Sequence, residues 1–255
     1  MKTQSTIRLS FGANTLNVSL PRGWHELSTN ELQMVYRFLT VYDPYVAPVA
    51  IFLRFANAKV IREIDNKTLV SFRISRKISV QSLISDDEMV SFVSHLDWLA
   101  DPGTIPVRLP KIAGNRAVDD QLHGVSFGDY LRIESLYQGY LQSQDPTALL
   151  RLANILYRGR NKIRKLDDVD TICVFNWVAQ IKSLFANTFK HFFHSSGEGE
   201  APDMIEIMNA QIRALTGGDV AKEEQILSID CWRALTELDA KAREAEEFNK
   251  QMKKK

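Results

Sequence analysis

Alternating polar and apolar positions open the chain. Over residues 6–20, Ile7, Leu9 and Phe11, then Leu16, Val18 and Leu20, fall at every second position around the turn-competent Gly12, Ala13 and Asn14. A period of two on both sides of a short turn predicts a β-hairpin, and because a lone hairpin is marginal in water, one of its faces must pack on something else. The period then lengthens. Ser28 with Glu31, flanked by Leu27 and Leu32, has the form of a capping box with a hydrophobic staple, in which hydroxyl and carboxylate each satisfy an orphan amide of the first turn. Ser85 with Glu88, between Ile84 and Met89, and Ser126 with Asp129, between Val125 and Tyr130, repeat the pattern, so three helix starts are predicted there. A further helix is predicted from about residue 46 to 60, with Pro48 tolerated in its first turn. Residues 68–80, TLVSFRISRKISV, alternate and are β-branched, which predicts a strand or a second hairpin arm.

Residues 101–124 hold three prolines and three glycines and show no helical period. A loop that long is usually functional or mobile, and it is the natural place for a boundary or hinge. Beyond it the chain reads as helix after helix. Phe127, Tyr130, Leu131, Tyr137 and Tyr140 share a face; Asp145-Pro146 supplies an N-cap and a first-turn proline for a helix reaching about Tyr157; Val174, Trp177, Val178, Ile181, Leu184, Phe185, Phe189 and Phe192 form the strongest apolar stripe. SSGEGEAPD interrupts it as a connector. The predicted fold class is mainly α, a multi-helix protein with a small N-terminal β-hairpin or sheet element. Its predicted parts are an N-terminal lobe (1–100), a loop or hinge (101–125), a helical lobe (126–195), a C-terminal helical hairpin (196–250) and a charged tail (251–255).

The stretch IRALTGGDVAKEEQIL, residues 212–227, raises a choice between a phosphate-cradling loop and an elbow between helices. A phosphate loop follows a strand, spaces its glycines more widely and carries Lys-Ser/Thr at the helix start, and none of these is present. Ile205, Met208, Ile212 and Leu215 step along one helical stripe, Gly217 falls where a left-handed C′ residue is wanted, and Asp219 suits the cap of the next helix, predicted over residues 219 to about 250. The elbow is the better reading. The second helix puts Leu227, Cys231, Ala234, Leu238 and Ala245 on one side, with Trp232 and Leu235 beside them, and Glu, Lys and Arg on the other. Core packing is the ordinary use of such a face, and partner binding the sharper one. The candidate partner-binding residues are Ile205, Met208, Ile212, Leu227, Trp232 and Leu238.

Charge narrows the choices. Lys and Arg number 32 against 31 Asp and Glu, a formal net charge of +1, which supplies no global field for nucleic acid or an anionic membrane. The local exception is RGRNKIRK: Arg158, Arg160, Lys162, Arg164 and Lys165 are candidates for contacting nucleic-acid phosphates, although acids follow at Asp167, Asp168 and Asp170 and basic residues also suit a helix C-terminus. His191 and His194 stand three apart near Glu198 and Glu200, but no cysteine is close and the ligand count is poor for zinc, so no metal or cofactor is expected. Asp86-Asp87-Glu88 suits a first helical turn, and no serine has the GxSxG context of a nucleophile elbow. No catalytic residue is assigned and no enzyme is expected. Cys173 and Cys231 lie in apolar patterns, where a thiol acts as a small hydrophobe. The N-terminal alternation is not that of a signal peptide and no apolar run reaches the ~20 residues of a membrane span, so a cytoplasmic chain is expected.

Three passages, LPRGWHELSTNELQMVYRFL, VSFGDYLRIESLYQGYLQSQD and MIEIMNAQIRALTGGDVAKEEQILSIDCWRALTELDAKAREAEE, together about a third of the chain, resemble a family of no assigned activity encoded among the tail and virion-assembly genes of tailed phages and prophages. The resemblance implies a non-enzymatic binding protein in the host cytoplasm or the virion, either a chaperone-like tail-assembly factor or a minor virion structural protein, with a tail or other virion protein as partner. It carries over no catalytic residues. The runner-up expectation is a nucleic-acid-associated protein using residues 158–165.

Overall fold

A computed structural model describes residues 5–11, 14–194 and 204–252. The chain divides into two compact units at Gly103/Thr104, so the segment read as a hinge contains the boundary near its start and gives the remainder to the second unit. The fold is mainly α with small antiparallel sheets.

In the first unit, β1 (Ser5–Phe11) and β2 (Asn14–Leu20) form the hairpin, in the register Ile7↔Val18 and Leu9↔Leu16. Leu9, Val18 and Leu20 are buried, and the face they share packs on α2 (Ala47–Phe55). α1 (Thr29–Val41) opens with the complete Ser28–Glu31 capping box. α2 stops well short of residue 60: Asn57 adopts a left-handed φ of 51°, a conformation Asn tolerates, and a strand follows, β3 (Ala58–Ile64). Asp65 and Asn66, both at positive φ, turn it into β4 (Lys67–Arg73), which pairs with β5 (Ser79–Ser85). The β-rich part of this unit is therefore larger than one hairpin. β4 buries Val70 and Phe72 on one face, β3 carries a bulge between Val60 and Arg62, and β5 runs straight into the capping box of α3 (Asp86–Val93). Trp24 stacks on Tyr36 at 5.3 Å, meets Trp98 edge-on at 5.0 Å, and donates its indole N–H to the Asp101 carbonyl.

The second unit is built on α4 (Phe127–Ser143), α5 (Pro146–Leu156), α6 (Asp168–Thr188), α7 (Lys190–His194), α8 (Met204–Thr216), α9 (Glu223–Ser228) and α10 (Cys231–Met252). Between Thr104 and Ser126 the chain is not a bare loop. β6 (Lys111–Ile112) and β7 (Asn115–Ala117) form a hairpin turned by Ala113 and Gly114 at positive φ, β7 pairs with β8 (Tyr157–Arg158), and Leu109, Ile112 and Leu122 are buried. The stripe of α4 buries Phe127, Tyr130, Leu131 and Tyr137, and that of α6 buries Val174, Trp177, Val178, Ile181 and Phe185, with Phe189 just past the helix end. Asp145 caps α5 through the Thr147 amide.

Ser126 accepts from the Asp129 amide, but the reciprocal half of a capping box is missing, because the Asp129 carboxylate turns to Arg132 and Arg158, 3.4 Å from each. The single long C-terminal helix is also interrupted. α9 ends at Ser228 and α10 begins at Cys231, and between them Phe127 and Cys231 donate their amides to the Ile229 and Val125 carbonyls. α10 then buries Cys231, Ala234, Leu235 and Leu238 in the same core as α4, α5 and α6, so the predicted helical lobe and C-terminal hairpin share one core among the described residues. The connector at residues 195–203 and residues 253–255 of the tail lie outside the described residues. Among the described residues no helix is long and apolar enough to cross a membrane.

Leu238 has 4% of its surface exposed and Ile205 has 65%. Leu238→Ala is expected to lower the unfolding free energy of the full chain by about 2–5 kcal/mol. Ile205→Ala is expected to change it by less than ~0.5 kcal/mol. Urea unfolding of both variants checks the contrast, and equal effects would remove the assignment of α10 to the core.

Candidate functional site

The candidate binding residues separate once the chain folds. α8 ends at Thr216 with Gly217 and Gly218 at φ of 65° and 84°, and the Gly218 amide closes back on the Arg213 carbonyl. Asp219 then accepts from the Ala221 amide, and its carboxyl is held below the usual range by bonds to Lys222 and that amide. The glycine pair is an elbow that folds α9 back toward α8. Between these helices and the first turns of α4 lies an open cleft of about 350 Å3, with Leu131, Met208, Ile212 and Leu227 on its walls and Asp129, Arg132 and Glu224 at its polar edge. Gly128 lets α9 come this near: a Cβ there would stand 3.2 Å from the Leu227 carbonyl oxygen.

Met208, Ile212 and Leu227 are thus brought together in one cleft, and Ile205 stands exposed one turn earlier on α8. Trp232 and Leu238 are corrections to the sequence reading. Trp232 packs edge-on to Phe185 and Phe189 at 5.2 and 5.4 Å and donates its indole N–H to the Gln121 carbonyl, and Leu238 is core. Leu238 lies on a covered face, and Trp232 is half-buried with its indole committed to this packing. Leu131 and Gly128, which the sequence reading did not single out for binding, complete the cleft.

The basic segment is anchored. The Ile163 side chain is buried, its amide donates to Asn154 Oδ1, and Asn154 Nδ2 returns a bond to the Ile163 carbonyl. Asn115 Nδ2 donates to the Asn161 carbonyl, and Gly159 lies so close to Asn115 that a Cβ would overlap its side chain. Arg158, Arg160, Lys162, Arg164 and Lys165 are all exposed on this fixed stretch, and among the described residues only Arg158 has an acid partner, Asp129. In the first unit, a polar cleft of about 270 Å3 is bordered by Arg54, Lys59, Arg73 and Ser71.

Other titratable groups have structural explanations. Burial pushes the thiols of Cys173 and Cys231 up to about 12, so they stay protonated and unreactive, and the two cysteines are free. Burial also raises Tyr130, Tyr137 and Tyr157. Glu88 and Asp145 are lowered by the cap bonds they accept from Ser85 and Thr147. His191 Nδ1 lies 3.2 Å from Glu246, not in a ligand set, and Glu198 and Glu200 lie outside the described residues. Among the described residues no group of three or more His, Cys, Asp or Glu is placed to hold a metal ion. Compared with known protein families, curated proteins and solved structures, the chain matches none.

Asp170 sits half-buried in the first turn of α6, and burial, then the Asp167 charge, raise it to about 6. An unfolded Asp titrates at about 3.9, so the folded chain keeps a proton that the unfolded chain releases between about pH 4 and 6. Stability contributed by this group is therefore lost as pH rises through that window. With solvent screening discounting the shift, Asp170→Asn is expected to gain about 1 kcal/mol at pH 7 and nothing below about pH 4. Denaturant unfolding at the two pH values tests this, and equal stability at pH 7 would remove the burial account.

Proposed function

We propose that the chain is a non-enzymatic assembly protein of a phage tail system, chaperone-like or a minor virion component, that holds an apolar segment of a tail or other virion protein. The observation carrying this reading is the cleft between α4, α8 and α9, whose walls are Leu131, Met208, Ile212 and Leu227 and whose edge has charges of both signs. A groove of that lining suits an amphipathic helix that inserts two or three apolar side chains and leaves its polar face to the rim. The three passages similar to tail-gene products lend the choice of partner, and two of them supply the helices around the cleft. On this reading the chain works in the host cytoplasm during virion assembly.

The test is co-purification of the tagged chain with the co-expressed products of its own gene neighbourhood, after nuclease treatment. Ile212→Ser and Arg132→Glu should each weaken recovery of a tail protein by about fivefold or more, the loss expected for a residue costing over ~1 kcal/mol. The Arg132 side chain is 73% exposed, so its variant reports on the surface without disturbing the core. Undiminished recovery with both variants, while their melting matches the parent, would exclude the cleft as the binding site.

A further inference from the structure

β6, β7 and β8 form a sheet with two unlike faces. The registers Lys111↔Arg116 and Arg116↔Arg158 set three cations directly opposite one another across its strands. The alternate positions Ile112, Asn115 and Tyr157 are buried, which leaves Lys111, Arg116 and Arg158 together on the outer face, all exposed. Neighbouring strands lie ~4.8 Å apart, so the row spans ~10 Å with a positive charge at each step. Like charges placed directly opposite are unfavourable in a free sheet. Asp129 relieves only one end of the row, through Arg158, and shares itself with Arg132. The chain leaves β8 along the anchored segment that carries Arg160, Lys162, Arg164 and Lys165, for which no ion pair exists among the described residues.

We infer that this cationic row and the segment leaving it bind the phosphate backbone of a nucleic-acid duplex without reading its sequence. Charge complementarity is the ground for that occupant. Arg116, Arg158, Arg160 and Arg164 carry planar guanidinium groups suited to paired phosphate oxygens. Rigid anchoring by Asn115, Asn154 and Ile163 lowers the ordering cost of bringing these charges to a ligand. The one large apolar side chain in residues 158–165, Ile163, is buried, which leaves no apolar wedge for a lipid surface. Tyr157, the aromatic residue of β8, is also buried, so the face has no stacking platform for unpaired bases. What remains is phosphate contact, which gives affinity, salt dependence and no specificity. The row meets the edge of the α4–α8–α9 cleft at Asp129, but the inference does not depend on the reading of that cleft.

Fluorescence anisotropy with a labelled DNA duplex of about two helical turns, titrated with the full chain, tests it. With about four phosphates engaged, affinity should fall roughly a hundredfold between about 0.05 and 0.2 M salt. Arg116→Ala and Lys162→Ala should each weaken binding at low salt and reduce the slope of log affinity on log salt by about one, with the double variant losing about two. Arg243→Ala, an exposed cation on α10, should change neither. Both patch side chains are exposed, and removing Arg116 relieves repulsion, so melting temperatures at or above the parent value accompany the loss. Duplexes of unrelated sequence should bind equally. No binding at low salt, a slope unmoved by either patch variant, or binding to phosphatidylserine vesicles without binding to the duplex would overturn the inference, the last pointing to a membrane surface.

Discussion

The second unit depends on tying down a segment that has no regular structure of its own and buries only Leu122 and Val125. Residues 119–126 run against α6 and α10, and where their backbone is covered a carbonyl or amide left without a partner costs ~1–3 kcal/mol. Two indoles and a carboxylate meet that demand. Trp177 donates to the Asp120 carbonyl, Trp232 to the Gln121 carbonyl, and Asp230 accepts the Gly124 and Trp232 amides together. The Cys231 thiol reaches the Leu122 carbonyl. At the break between α9 and α10, Asp230 faces Gly124 and the Ile229 carbonyl accepts the Phe127 amide, so the start of α4 is pinned where α9 ends, beside the cleft. Core, cleft and irregular segment are one construction.

Local grammar made much of this legible and long-range grammar did not. The capping boxes at Ser28 and Ser85, the Asp145-Pro146 start, the Gly217 elbow and the stripes of α4 and α6 rest on residues within five positions of one another, and the structure has them. Residues 101–124 read as a loose hinge because, beside a short local hairpin, the partners that tie them down are distant: Gln180, 73 residues on, accepts the Val107 amide, and Asp230, 106 residues on, accepts the Gly124 amide. A signal existed. Gln180 is polar yet sits on the apolar stripe of α6, which is where a side chain strapping a neighbouring segment would be. β3 is hard to read for a comparable reason, since a helical period reaching about residue 60 takes in Ala58 and Val60 and hides the strand start, although Asp65-Asn66 is turn-competent.

The candidate binding residues show why amphipathicity alone cannot assign an interface. Trp232 and Leu238 belong to the same periodic face as residues of the cleft, and periodicity marks burial without saying what does the burying. Only tertiary packing separates Leu238, covered by the core, from Met208 and Ile212, which border open space. The cation row is the converse case. Lys111 and Arg116 are more than forty residues from Arg158 and look unremarkable in the sequence, and it is strand register that joins them to the basic run.

The bulge in β3 has a consequence for how the protein behaves at high concentration. β3 is an edge of its sheet, and Val60 and Ile61 stand about half exposed on it. An apolar, unpaired edge is a template onto which another chain can hydrogen-bond, the first step of sheet-to-sheet aggregation. The extra residue between Val60 and Arg62 breaks the ladder repeat on that edge, and Lys59, Arg62 and Glu63 surround it with charge. A strand added there would meet a locally broken hydrogen-bonding ladder flanked by charge. The irregularity thus works as a guard against self-association, and it lets the first unit keep an apolar edge in water while remaining a three-stranded sheet.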